Sequence, residues 1–257
     1  MRGGLLLAIV VAACCFASSA GAATQDLSLS SNWAGYAVTG AEADGSPLTF
    51  SVVSGSWTQP AATCTSGTAT WSSFWVGLGG YAETSDALEQ IGTDADCDAS
   101  GRPIYYVWYE LVPEAPVRLR MKVSPGDHVT AVVVVHGPTV ILRLRDLTRN
   151  TVFTRHLETS TTDLTSAEWI AEAPSTCDGP SCSVLPLTNF GTVSFTGAAA
   201  VGDGRPAPLG SWTVTPIELL AGDRLAAMPS STGAVPSPVS PDGGSFTISY
   251  SDELPAP

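Results

Sequence analysis

Helix signals are nearly absent from this chain, and that absence restricts its fold more than any other feature. Short runs rich in Val, Thr, Trp, Tyr and Phe recur between clusters of Gly, Pro, Ser and Asp. β-Branched and aromatic residues suit a pleated, half-buried surface, and the intervening clusters supply turns. Strands are predicted at Asn32–Val38, Thr49–Trp57, Ser72–Leu78, Glu89–Thr93, Ile104–Leu111, Arg118–Val123, His128–His136, Val140–Asp146, Thr151–Leu157, Ala167–Ala171, Asn189–Thr196 and Phe246–Ser251. A dozen strands on one chain imply two packed sheets, so the expected fold is an all-β antiparallel sandwich.

Pro125-Gly126-Asp127 lies between two alternating runs and reads as a turn joining neighbouring antiparallel strands. Arg143 and Arg145 alternate with Leu142 and Leu144, which predicts a solvated outer face there. Gly179 to Pro186 and Ser230 to Gly244 read as surface loops, and Ser245 to Ser251 as a last strand that closes a sheet.

The first residues read as an export signal. Arg2 precedes the apolar run from Leu5 to Phe16, and the small-residue pattern Ala20-Gly21-Ala22 follows it. Residues 1–22 are therefore expected to be removed, leaving one domain over 23–257 in a secreted protein. Val11-Ala12-Ala13-Cys14 also resembles a lipoprotein processing box that would leave a lipid anchor on Cys14. No later run approaches the roughly 20 apolar residues of a membrane span. About 235 mature residues fit a single β-sandwich, with a monomer as the default. The net charge of −13, with only 11 Lys and Arg, argues against a nucleic-acid partner, which would need a basic face. A chain so poor in cations sheds carboxylate repulsion as pH falls, which suits an acidic habitat.

After signal removal four cysteines remain: Cys64, Cys97, Cys177 and Cys182. An even number in an exported chain is read as disulfides, and of the three possible pairings Cys64–Cys97 with Cys177–Cys182 is favoured. A zinc site would need a second short-spaced Cys or His pair, which is lacking.

The usual hydrolase signatures are missing. There is no Gly-x-Ser-x-Gly elbow and no short-spaced His pair, and His128, His136 and His156 fall on predicted strands or their ends. Asp94, Asp96 and Asp98 alternate as in a calcium loop, but the sixth position lacks Gly and Tyr105 stands where the twelfth-position Glu belongs. A solvated acidic turn is the expectation for them.

Carboxylates and amides set among aromatics are left. Four regions stand out: Asn32-Trp33-Ala34-Gly35-Tyr36; Phe74-Trp75-Val76-Gly77-Leu78; Glu89-Gln90-Ile91-Gly92 with Tyr106-Val107-Trp108-Tyr109-Glu110; and Ser166-Ala167-Glu168-Trp169-Ile170. Together, in this order and ending at Phe190-Gly191-Thr192-Val193-Ser194-Phe195, they resemble the glutamic peptidases, or eqolisins, and especially the bacterial members. The resemblance implies a concanavalin A-like (lectin-like) sandwich with a catalytic Glu/Gln pair on its concave sheet. By position that pair falls on Glu168 and Gln90. Trp75 matches a cleft Trp, and Trp108, Tyr109 and Glu110 match the family's Trp-Tyr-Glu strand beside the site, so all four are expected to bind substrate. The implied partners are protein or peptide substrates, and no cofactor is implied. Two departures stand out: Gly79 and Tyr106 occupy positions where fungal members tend to carry Asp. A long propeptide of the fungal kind is not expected.

The chemistry is coherent on its own terms. Water attack on a peptide needs a base, an oxyanion donor and an acid for the leaving nitrogen. A Glu can be base and then acid, while an un-ionisable Gln can orient water and donate to the oxyanion. A carbohydrate-binding module, with Trp75, Trp108 and Tyr109 stacking on sugars, is one rival reading. A two-carboxylate glycosidase using Glu110 and Glu168 is another, and it would need carboxyl groups about 5 to 9.5 Å apart.

Overall fold

A computed structural model describes residues 27–41, 44–178, 181–220 and 231–254. The expected signal segment, Cys14 included, lies outside the described residues. Eighteen strands follow one another: β1 (Ser28–Ser30), β2 (Trp33–Thr39), β3 (Phe50–Thr58), β4 (Ser73–Gly79), β5 (Leu88–Cys97), β6 (Pro103–Val112), β7 (Val117–Arg118), β8 (His128–His136), β9 (Thr139–Asp146), β10 (Thr151–Glu158), β11 (Ala167–Glu172), β12 (Ser175–Asp178), β13 (Ser181–Val184), β14 (Thr192–Gly202), β15 (Arg205–Pro208), β16 (Thr213–Leu220), β17 (Ser231–Pro236) and β18 (Phe246–Leu254). Among the described residues the only helical element is a single 3-10 turn at Leu209–Ser211, and no helix is long and apolar enough to cross a membrane.

Among the described residues fourteen strands form one hydrogen-bonded path folded into two layers, with β1 and β15 attached to it as side branches. One layer runs β10-β9-β8-β3-β14-β18, the other β2-β11-β4-β5-β6-β7, and β17 and β16 join them along one side. All pairings are antiparallel except that of β1 with β16. β8 alternates exposed and buried positions residue by residue, as a strand with one solvated face must. β4 and β5 are buried along their whole length, because their second face is also covered. Arg143 and Arg145 of β9 point outward, opposite buried Leu142 and Leu144.

The core lies between the layers. Trp169, Phe74, Val76, Ile91 and Val107 from one layer meet Val53, Trp57, Ala131, Val133 and Leu144 from the other. Two tryptophans close the polar account across the gap. Trp169 Nε1 donates to the Ser54 carbonyl at 2.7 Å, and Trp57 Nε1 donates to Thr93 Oγ1 at 2.9 Å. A buried indole needs such a partner for its N–H. Both expected disulfides are present, Cys64–Cys97 and Cys177–Cys182.

Several expectations are corrected. The strand expected at Arg118–Val123 shrinks to Val117–Arg118: Leu119, Met121 and Val123 do alternate onto the core, but the pairing with β6 ends at the Leu119 N–H bond to the Val107 carbonyl. The Pro125–Asp127 turn forms, yet the chain there passes between layers, since β7 pairs with β6 while β8 pairs with β3 and β9. The two supposed loops each hold a strand. β13 completes a small hairpin with β12 around Cys177–Cys182, and β17 is inserted between β16 and β18. β18 therefore lies inside the sheet and does not close it. β16 is not legible in the sequence, because Pro216 interrupts its strand pattern. Asp94 and Asp96 are no solvated turn but buried members of β5; only Asp98 turns outward.

Candidate active site

The second face of the β2-β11-β4-β5-β6 layer forms a concave floor, and strand register arranges its side chains in rows. Glu168 of β11 pairs with Gly77 of β4, Gly77 with Gln90 of β5, and Gln90 with Glu110 of β6. Directly opposed residues share a face, so Glu168, Gln90 and Glu110 rise from one row with Gly77 between the first two. Glu168 and Gln90 are two strand spacings apart, roughly 9.6 Å between backbones, and Glu110 is one spacing further. Both pairs expected by the peptidase and glycosidase readings thus share the row, but Gln90 stands between the two carboxyl groups.

Two residues along each strand lies a second row, Ile170, Trp75, Gly92 and Trp108; two further lies a third, Glu172, Ser73, Asp94 and Tyr106. A cleft of about 630 Å³ opens over this floor, lined by Gln90, Glu110, Trp108, Asp94, Tyr106, Glu172 and Leu88 among others, with Trp33 and Arg118 on its walls. Glu172 and Arg118 are not among the residues expected at the site from the sequence, and Asp94 is expected only in a solvated acidic turn. The strand period of two would have found the carboxyl groups, because Glu172 is four residues after Glu168 and Asp94 four after Gln90.

The expected substrate-binding residues do not all meet here. Trp108 and Glu110 line the cleft. Trp75 lies on the cleft face but is fully buried, its Nε1 donating to Glu172 Oε2 at 2.8 Å and its ring edge-on to Trp33 at 5.0 Å. Tyr109 belongs to the opposite face. It stacks on Phe153 of the other layer, with centroids 5.9 Å apart, as its odd spacing from Trp108 and Glu110 dictates.

Gln90 Nε2 donates to Glu110 Oε2 at 2.7 Å, while its Oε1 is buried without a hydrogen-bond partner in the protein. Glu168 is fully buried and neither carboxyl oxygen has such a partner. Burial pushes its pKa well above the ordinary value; Ser166 beside it opposes this, and the Asp163 and Glu89 carboxyl groups add to it. Burial also raises Glu110, against the Gln90 hydrogen bond. It lifts Glu172 to about 7 despite hydrogen bonds from Trp75, Trp33 and Asn32, with Glu110 adding to the rise. Asp94 is raised by burial and by Asp96, which itself is raised to about 6 by burial. Tyr106 replaces one family carboxylate and donates to Asp96 Oδ2 at 3.0 Å, with the Arg118 guanidinium 4.0 Å above its ring.

The other departure has a steric cause. Gly79 has φ +82°, and a Cβ there would stand 2.4 Å from the Asp163 carbonyl oxygen and 2.7 Å from the Asp163 Cβ. No Asp fits at position 79. Asp163 fills the space instead and binds Gly80 N–H, Ser85 and Thr165. Although burial raises it, these hydrogen bonds hold its carboxyl below the ordinary value. A carboxylate is thus restored beside the end of β4 from a different part of the chain.

Comparison with known proteins follows this geometry. A model of the Peptidase A4 family matches residues 31–237. A search of curated proteins returns no match. Among solved structures, scytalido-glutamic peptidase bound to a peptide-based transition-state analogue is similar at 24% identity and a TM-score of 0.67, over 86% of this chain and 98% of that one. SCP-B, a member of the eqolisin family in complex with the tripeptide Ala-Ile-His, is similar at 23% identity and TM-score 0.63, with the same coverage. Aspergilloglutamic peptidase from Aspergillus niger is similar at 26% identity and TM-score 0.56, over 71% of this chain and 99% of that one.

Proposed function

The chain belongs to the Peptidase A4 family and is a peptidase of the glutamic type, and from that premise we propose that it is an exported acid endopeptidase in which Glu168 and Gln90 act on one water molecule. The carrying observation is the row Glu168–Gly77–Gln90–Glu110 on one face of the concave sheet, in which the strand between the pair contributes no side chain. Water over Gly77 loses a proton to Glu168 as its oxygen attacks the substrate carbonyl carbon. One N–H of the Gln90 amide is held by Glu110, leaving the second for the developing oxyanion, and the unpartnered Oε1 can orient the water. When the C–N bond breaks, protonated Glu168 gives its proton to the departing amine. A Glu/Gln pair does this without two carboxylates having to share a charge.

Burial of Glu168 bears on pH. A base must be ionised to accept a proton, so a raised pKa moves the acid limb of activity upward. The kcat/KM profile on a peptide substrate is expected to rise with a midpoint above the ordinary Glu value of 4.5. Glu168→Gln should lower kcat by about a thousandfold or more, with an unchanged or higher melting temperature because the replaced carboxyl is buried without a partner. Normal turnover of a denatured protein by this variant at acid pH would sink the assignment.

A further inference from the structure

Glu168 contributes no surface to the cleft, although the reaction proposed above requires water to reach it. The space over Gly77 is occupied. A Cβ built on Gly77 would stand 2.9 Å from Leu88 Cδ1, 2.9 Å from Trp75 Cζ3 and 3.3 Å from Gln90 Cβ. Leu88 and the Trp75 ring therefore close the gap between Glu168 and Gln90 from above. A second groove of about 490 Å³ adjoins the cleft, sharing Asn32 and Trp33 with it and bounded further by Leu29, Gly80, Tyr81 and Ile217. Leu88 stands at the partition. It lines the cleft, and a Cβ on Gly80, which lines the groove, would lie 3.2 Å from it.

The two covering side chains differ in freedom. Trp75 is fixed by its hydrogen bond to Glu172 and by its edge contact with Trp33. Leu88 has only apolar contacts there, and an aliphatic side chain changes rotamer without breaking a hydrogen bond.

We propose that Leu88 is a gate: it seals Glu168 in the resting enzyme, and an apolar substrate side chain displaces it, joining cleft and groove into one channel across Glu168 and Gln90. A bulky apolar residue beside the scissile bond then replaces the contacts that Leu88 gives up, whereas a small one leaves the opening uncompensated. Leu88 becomes a specificity-determining residue. The catalytic part of this proposal rests on Glu168 being the base.

The test separates the two. Wild type and Leu88→Ala are treated at mildly acid pH with a water-soluble carbodiimide and an amine, and modification of Glu168 is followed by peptide mass. Glu89, buried on the core face, is the internal control. Leu88→Ala should accelerate modification of Glu168 about tenfold with Glu89 unchanged, and Leu88→Phe should slow it. The ratio of kcat/KM for a peptide with Phe beside the scissile bond over one with Ala should fall about tenfold in Leu88→Ala. If Leu88→Ala lacks the wild-type melting transition, Leu88→Val takes its place with a smaller acceleration. Equal modification rates in wild type and the smaller variant overturn the gate. Faster modification in a protein that cleaves no peptide leaves the gate standing and removes the catalytic reading of Glu168.

Discussion

At the scale of single residues, the site is organised by how few partners its polar groups have. Gln90 is held on one side only, by Glu110, and its amide carbonyl oxygen is buried without a hydrogen-bond partner in the protein. On the proposed mechanism Glu110 acts as a positioning residue, and the quality of an acceptor at that place should matter more than its charge. Glu110→Ala should release the amide and lower kcat by about ten- to a hundredfold with little change in KM, the scale expected when a reacting group loses its orientation. Glu110→Gln keeps an acceptor oxygen of the same reach and should stay near wild type. Steady-state kinetics at acid pH decide it: equal losses in both variants would mean that Glu110 acts by its charge. Gly79 makes the complementary point. Its positive φ and the crowding by Asp163 explain why the family's Asp is absent, and the missing carboxylate reappears from residue 163.

At the scale of elements, two staples hold very different spans. Cys64–Cys97 ties the loop before β4, across 33 residues, to the end of β5, the strand that carries Gln90. Cys177–Cys182 closes only 5 residues within an exposed hairpin that shares no ladder with the main sheet. By loop entropy, losing the first should cost about 3 to 4 kcal/mol, and losing the second roughly 2 kcal/mol at most, confined to the hairpin. Denaturant unfolding of Cys64→Ser/Cys97→Ser and Cys177→Ser/Cys182→Ser should show a large shift in midpoint for the first pair and a small one for the second. An equal shift would mean that the hairpin is integral to the core. The same elements show what was readable beforehand. β2, β4, β6 and β11 were legible because aromatic and branched residues mark a buried pleat. β13, β16 and β17 were not, since Ser, Gly and Pro dilute that signal and only their neighbours make them strands. Glu172 and Asp94 were readable in principle from the period of two, as was the wrong face of Tyr109. The seal formed by Leu88 was not, because it depends on a side chain leaning along its strand over Gly77.

At the scale of the whole molecule, buried carboxyl groups dominate the response to pH. Burial lifts Glu89 to about 8, with Asp163 adding to it, and lifts Asp96 to about 6 and Glu172 to about 7. Glu168, Asp94 and Glu110 are also raised, mainly by burial. Among the described residues Arg118, near Asp96, is the one cation that offsets any of these shifts. A raised carboxyl pKa means that the folded state holds protons that the unfolded chain has already released near its ordinary pKa of about 4. The folded state then binds more protons from about pH 4 up to the raised values, so stability falls as pH rises through that window. A few groups pull the other way. Asp242, held near 2 by Ser240 and Ser245, and Asp98, held low by Ser100, favour the fold above their own range, but both lie at the surface, where solvent screens them. The raised, buried set should therefore win, placing maximum stability in mild acid. Melting followed by circular dichroism should give a Tm at least about 10 °C lower at pH 8 than at pH 4. Most of the fall should lie between pH 4 and 8, and Glu89→Gln should flatten its upper part, because burial raises Glu89 to about 8 and neither of its oxygens has a hydrogen-bond partner. A Tm that is level or rising from pH 4 to 8 would show that the buried carboxyl groups find compensation on ionising. If the fall is observed, the buried carboxyl groups themselves make the folded peptidase less stable toward neutral pH, which favours activity in acid.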